Sequence, residues 1–152
     1  MGGAINVFVT PSNDGIHGPI VITGAIGDYG QTLNMDKNGK TDAKGNYVMI
    51  TLQKGTFEIN ITALNAKTKN AQPTVDKATC SFQFSGTGPV TLFKGTGLYK
   101  GISGTVNIAI TFAGVGPLFK SGKNKGQCNL SNSAQPLAQY GSIKGTGMVK
   151  FG

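Results

Sequence analysis

The feature that most constrains the fold of this chain is the period-two spacing of its apolar residues. In residues 56–64, Phe57, Ile59 and Ile61 alternate with polar residues, and residues 105–112 repeat the pattern with apolar residues at every even position. Side chains of a β-strand point alternately to opposite faces, whereas a helix repeats its faces every 3.6 residues. The spacing therefore predicts strands that each bury one face. No segment of useful length shows the helical period.

Similar runs give about eight predicted strands; the others lie near residues 5–9, 20–22, 48–52, 80–84, 90–99 and 142–151. Turn-forming residues separate them, and the short turn at Lys54-Gly55 predicts antiparallel neighbours. Closing such a sheet removes the strand edges that invite aggregation. We therefore predict an all-β fold, in which residues 1–152 form a single domain that is one closed antiparallel barrel.

The composition agrees with this fold class. Glycine supplies 24 of the 152 residues, and charged residues make up 13%. Glycine costs a helix interior roughly 1 kcal/mol per residue relative to alanine. Gly-Thr-Gly triplets recur at residues 86–88, 95–97 and 145–147. Because glycine inside a strand is typical of bends in a barrel wall, we predict bends at these triplets rather than phosphate-binding loops, which need a following helix.

One long segment, near residues 114–139, lacks strand periodicity and is predicted to be a loop. Connections of this length are usually functional or disordered. The loop holds Lys120, Lys123 and Lys125, and residues 77–152 contain eight lysines and no acid, so that this half carries the whole formal net charge of +8. Two interpretations stay open: an anion-binding surface built on the loop lysines, or scattered charges that keep the protein in solution.

The scarcity of some residue types excludes several kinds of site. The chain has no arginine, which excludes bidentate clamps on carboxylates or phosphates and disfavours nucleic-acid binding. Its one histidine, His17, excludes a Cys2His2 zinc site. Residues 36–42 offer oxygen ligands but depart from the spacing of a calcium-binding loop, so a polar turn is favoured. We expect no metal, no cofactor and no membrane span.

The two cysteines leave two alternatives. Cys80 shares an apolar strand face with Phe82 and Phe84, whereas Cys128 lies in the long loop. A disulfide that ties the loop to the barrel is favoured in a small β domain; the alternative is two reduced thiols, with Cys80 as a small buried apolar residue. We expect a secreted or periplasmic protein. The start of the chain lacks the features of a signal peptide, so a cytoplasmic location stays open.

The most specific motif lies in residues 93–105, which read Phe-Lys-Gly-Thr-Gly-Leu-Tyr-Lys-Gly-Ile-Ser-Gly-Thr. This segment resembles the Gly-Thr-Gly-x-aromatic-x-Gly-x-x-Gly hairpin that joins two strands in the allene oxide cyclase and dirigent-like β-barrels. The resemblance implies an eight-stranded antiparallel barrel with an apolar cavity, often trimeric, whose plant members cyclise or steer reactive intermediates. Plant dirigent proteins use acidic and arginine groups in the cavity. This chain offers no matching residues, so the resemblance carries the fold and not the catalytic apparatus.

Three functions follow from these expectations. The leading one is a barrel that binds a hydrophobic or amphipathic small molecule, or a non-catalytic barrel that its own side chains fill. The second is a cofactor-free cyclase or isomerase, which needs a polar group such as Tyr29, Tyr47 or Glu58 inside the cavity. The third is a lysine-rich anion- or surface-binding module. No catalytic residue can be assigned. The residues predicted to line the cavity are Phe57, Ile59, Phe82, Phe84, Ile108, Ile110, Phe112 and Tyr47.

Overall fold

The computed structural model describes residues 1–131 and 133–152. Within them the chain forms nine strands, a short α-helix and a 3₁₀ turn at Gly97–Tyr99. In chain order the elements are β1 (Gly2–Val9), β2 (His17–Gly24), β3 (Asp28–Met35), β4 (Tyr47–Leu52), β5 (Thr56–Asn60), α1 (Thr62–Thr68), β6 (Thr74–Asp76), β7 (Ser81–Phe93), β8 (Ser103–Val115) and β9 (Ala138–Lys150).

Eight of the strands close into a barrel. They are hydrogen-bonded in the order β5-β4-β3-β2-β1-β9-β8-β7, and β7 pairs again with β5 through Glu58↔Phe93 and Asn60↔Thr91. Every pairing is antiparallel, and β6 adds a short ninth strand to the end of β7 that extends beyond the barrel. The predicted fold class, a closed antiparallel barrel of about eight strands, is confirmed.

The barrel has eight strands, as predicted, but they are not the eight predicted runs. The apolar pattern misses β3, whose inward face carries Asp28, Gly30, Thr32 and Asn34 instead of apolar side chains. The predicted strands at 80–84 and 90–99 are one 13-residue strand, β7. The alternation that starts at Phe57 also stops early. The Asn60 side chain accepts the Thr62 N–H at 2.9 Å, and the chain turns there into α1.

Two of the three Gly-Thr-Gly triplets lie inside the long strands β7 and β9 and carry no β-bulge. The β7–β8 and β8–β9 registers run unbroken through them. Glycine is needed there because other atoms approach closely. A Cβ on Gly88 would lie 2.9 Å from the Cα of Leu64 in α1, and a Cβ on Gly147 would lie 2.3 Å from the Thr105 carbonyl oxygen. In the remaining triplet Gly97 has φ +57° and does turn the chain.

Tyr99 closes one end of the barrel, which we call the base. The connection between β7 and β8 folds inward and inserts this side chain, none of which is exposed (0%). Its ring makes edge-to-face contacts with Phe57 and Phe151, at centroid distances of 5.7 and 5.5 Å. Its hydroxyl donates a 2.5 Å hydrogen bond to Asp28 Oδ2 on β3. The Tyr99 side chain, which we call the plug, therefore contacts β3, β5 and the residue that follows β9.

Asp28 is a buried carboxylate whose charge is satisfied by hydrogen bonds. Burial by itself would raise the pKa of this carboxyl. The Tyr99 hydroxyl and the backbone N–H groups of Tyr29, Lys54 and Gln53 outweigh burial and hold the pKa below its ordinary value. Burial and the neighbouring charge of Asp28 in turn raise the pKa of Tyr99. At neutral pH the pair is therefore a neutral phenol that donates to a charged carboxylate.

Replacing Tyr99 by phenylalanine tests the polar part of the plug. We expect Tyr99→Phe to lower the free energy of unfolding by about 1.5–3 kcal/mol, because it removes a buried hydrogen bond to a charged group. Urea unfolding measures this change. The matched control is Tyr29→Phe, in which the altered side chain is 61% exposed, and we expect it to stay within about 0.5 kcal/mol of the wild type. Equal effects of the two substitutions would contradict this role of Tyr99.

The lowered pKa of Asp28 predicts a loss of stability in acid. A carboxyl whose pKa is lower in the folded than in the unfolded chain stabilises the fold above its unfolded pKa of about 3.9, and this stabilisation is lost as the pH falls further. Asp28→Asn should therefore be less stable than the wild type at pH 7. The gap in unfolding free energy should narrow below about pH 4.

Urea unfolding of both proteins across this pH range measures the gap. The control is Asp42→Asn at an exposed position, for which we expect a change within about 0.5 kcal/mol at pH 7. A gap between wild type and Asp28→Asn that stays constant from neutral pH to acid would contradict the assignment.

Candidate functional site

The half of the barrel opposite the base is hollow. We call this end the mouth; the connections β1–β2, β3–β4, β5–β7 and β8–β9 lie there. A cavity of about 430 Å³ extends from the mouth into the barrel. Toward the base the apolar side chains pack together and leave a void of only about 30 Å³ beside Ile5, Ile22 and Phe57. Side chains therefore fill the lower half of the barrel and leave the upper half open.

The wall around the cavity is mostly apolar. Inward-facing residues of all eight barrel strands contribute, and α1 covers one side of the mouth by placing Leu64 against Gly88. The apolar residues around the cavity include Val7, Val9, Ile20, Val48, Ile50, Ile59, Ile61, Leu64, Val90, Ile108, Ile110, Phe112 and Ile143. The volume and lining are typical of a site for a small organic molecule, since such sites measure about 300–1,000 Å³.

Four of the eight residues predicted to line the cavity do so: Ile59, Ile108, Ile110 and Phe112. Phe57 points inward but lies below the cavity, where it packs against Tyr99. Tyr47 does not line it. On β4 the residues Val48, Ile50 and Leu52 face inward, so Tyr47 faces outward, where its ring lies 6.1 Å from that of Phe93. The prediction for Tyr47 is wrong.

Phe82 and Phe84 also do not line the cavity, although they lie on the same inward face of β7 as Val90 and Leu92. The strand is longer than the barrel is tall at this point, and its first residues extend past the mouth. Phe84 is the direct cross-strand neighbour of Phe112 there. The prediction is therefore right about the inward orientation of these two phenylalanines and wrong about their position along the barrel axis.

The cavity wall carries few polar side chains, and β3 supplies the deepest two. The Thr32 hydroxyl donates to the Gly18 carbonyl oxygen at 3.2 Å. The Asn34 side chain lines the cavity and makes no hydrogen bond to any other residue that the structure describes. Near α1, Asn65 Nδ2 donates to Asn46 Oδ1 at 2.9 Å. The Asn34 amide can therefore offer both donors and an acceptor to a molecule in the cavity.

A small polar cluster lies at the rim in the β1–β2 connection. His17 Nδ1 lies 2.9 Å from Asp14 Oδ2, and the single hydroxyl hydrogen of Ser12 is shared between Asp14 Oδ1, 2.5 Å from Ser12 Oγ, and the His17 carbonyl oxygen. Hydrogen bonds from the Ser12 hydroxyl, from His17 and from the Ile16 N–H lower the pKa of the Asp14 carboxyl below its ordinary value. Because the serine contacts the carboxylate and not the imidazole, the cluster lacks the serine–histidine contact that activates a nucleophile.

The groups that the cyclase hypothesis needs inside the cavity lie outside it. Tyr29 and Tyr47 are on the outer face of the barrel, and Tyr29 is largely exposed. Glu58 faces outward on β5, where its carboxylate pairs with Lys94 Nζ at 3.3 Å. The outward orientation of Glu58 follows from the alternation of its strand. The cavity wall described above therefore contains neither a carboxylate nor a phenol.

The long loop between β8 and β9 is tied to the barrel. Its residues are 116–137, slightly fewer than predicted, because β8 extends to Val115 and β9 begins at Ala138. The predicted disulfide between Cys80 and Cys128 is confirmed, with a Cα–Cα distance of 5.2 Å. Lys120, Lys123 and Lys125 are exposed in this loop. They lie at the mouth end but are not part of the cavity wall.

Comparison with family models, curated proteins and solved structures finds no match to this chain. Within the described residues, no three His, Cys, Asp or Glu side chains are grouped as a metal site would require. None of the helical residues described forms a helix long and apolar enough to cross a bilayer.

Proposed function

We propose that this protein binds a hydrophobic small molecule in the mouth cavity. The observation that carries the proposal is an aliphatic cavity of about 430 Å³ that is open at the mouth and sealed at the base by Tyr99. An apolar molecule that moves from water into such a space gains roughly 25 cal/mol per Å² of apolar surface removed from water. Open apolar volume inside a small protein otherwise costs stability, because the lining loses contacts.

The polar groups indicate the kind of ligand. Thr32 already uses its hydroxyl on Gly18, whereas the Asn34 amide has no partner among the described residues. A ligand with one hydrogen-bonding group on an otherwise apolar body would pair with Asn34 and leave the rest in contact with Ile59, Ile108 and Ile110. The absence of arginine in the chain disfavours a ligand held by a buried carboxylate or phosphate, since a bidentate clamp is lacking.

The resemblance to allene oxide cyclase and dirigent-like barrels supports the same role, because those proteins hold apolar molecules in a barrel interior. A cyclase or isomerase that works by confinement alone is the alternative function, with Asn34 as the residue that would orient the intermediate. The disulfide supports a secreted or periplasmic location, since disulfides persist in oxidising compartments. The trimeric assembly that the resemblance implies is part of the proposal as well.

Filling the cavity tests the proposal. N-phenyl-1-naphthylamine is a neutral aromatic probe whose fluorescence rises in apolar surroundings. We expect it to bind the wild type, and we expect Ile110→Trp to weaken binding at least about tenfold, because the indole would occupy the space that the probe needs. Fluorescence titration gives both dissociation constants.

The matched control is Ala109→Trp, which adds the same side chain to the next residue of β8 on the exposed outer face. This variant should bind the probe like the wild type. Absent binding by the wild type, or equal losses in the two variants, would contradict a ligand site in the mouth cavity.

A further inference from the structure

Exposed leucines are concentrated in the loop that the disulfide ties to the barrel. Leu118, Leu130 and Leu137 in residues 116–137 are 46%, 55% and 72% exposed. Val115 and Tyr140, at the adjoining ends of β8 and β9, are also exposed. Single exposed leucines are ordinary, but several large apolar side chains on one segment are typical of an interaction surface.

The same loop carries exposed positive charge and no acid. Lys120, Lys123 and Lys125 lie within eight residues of Leu118. The charge of the whole mouth end has the same sign, because its four connections hold nine lysines against four aspartates, Asp14, Asp36, Asp42 and Asp76. Within the described residues, none of these nine lysines pairs with a carboxylate. The surface is therefore complementary to an anionic partner.

Hydrogen bonds hold the lysines on a small hairpin. The Asn129 N–H donates to the Pro117 carbonyl oxygen, and the Phe119 N–H donates to the Gln127 carbonyl oxygen, both at 2.9 Å. The disulfide at Cys128 and the 2.7 Å bond from the Gly116 N–H to the Cys80 carbonyl oxygen tie this hairpin to the residue just before β7. This hairpin therefore needs little ordering before it can bind, which lowers the entropic cost of binding.

We propose that the β8–β9 loop docks the barrel, mouth first, on an anionic lipid bilayer. Leucines that enter the apolar layer beside lysines that contact acidic headgroups form the combination that peripheral membrane proteins use. A nucleic acid would satisfy the lysines but leave the leucines in water. The proposal does not depend on an occupied cavity, although docking in this orientation would face the cavity toward the membrane, a source of apolar ligands.

Co-sedimentation with vesicles tests the docking. The wild type should bind vesicles made of equal parts phosphatidylcholine and phosphatidylglycerol, and should not bind vesicles of phosphatidylcholine alone. The triple variant Lys120→Gln, Lys123→Gln, Lys125→Gln should bind the anionic vesicles about 100-fold more weakly, because each lysine near such a surface contributes about a factor of five. The matched control is Lys54→Gln, Lys100→Gln, Lys150→Gln, which removes the same charge from the base and should lose less than about tenfold.

Tryptophan substitutions report on the leucines directly, because the chain has no tryptophan of its own. Leu137→Trp should shift its emission to the blue and be quenched by brominated lipid when anionic vesicles are added. Leu98→Trp, at an exposed leucine of the base, should do neither. No binding of the wild type, equal losses in the two lysine variants, or an unchanged Leu137→Trp spectrum on bound vesicles would overturn the proposal. The last result would indicate a polyanion site instead.

Discussion

The hydrogen bond between the Tyr99 hydroxyl and the Asp28 carboxylate is the interaction on which the rest of the barrel depends. It buries a charge, which is tolerated only because three backbone N–H groups share the same carboxylate. These donors belong to the β3 residue Tyr29 and to the β4–β5 turn, and Tyr99 belongs to the connection between β7 and β8. One carboxylate therefore ties together three parts of the base that are distant in sequence.

Closure at the base explains why the cavity has a single opening. The rings of Tyr99, Phe57 and Phe151 occupy one end of the barrel, and the branched side chains above them leave a void of only about 30 Å³. Nearer the mouth, β3 contributes Thr32 and Asn34 where the other strands contribute branched aliphatic residues. Smaller polar residues on one wall and the lack of an aromatic plug at that end together leave the open volume.

The alternation of apolar residues was sufficient to predict the fold class and the inward face of most strands. It could not reveal β3, because Asp28 and Thr32 are buried through hydrogen bonds, which hydropathy does not report. The seven-residue helix α1 is too short to show a 3.6-residue period. The alternation also does not show how far along the barrel axis a residue lies. It therefore predicts Phe82 and Phe84 at the cavity, whereas both lie beyond the mouth. Tyr47 is different, since its phase relative to Val48 already indicates the outer face.

Methyl NMR on isoleucine-labelled protein shows whether the barrel is solid at the base and holds a ligand at the mouth. Titration with N-phenyl-1-naphthylamine should shift the methyl signals of Ile59, Ile110 and Ile143, which line the mouth cavity. The signals of Ile5, Ile22 and Ile102, which pack toward the base, should stay unchanged. Shifts as large at the base as at the mouth, or no shifts at any of these residues, would contradict ligand binding in the mouth cavity.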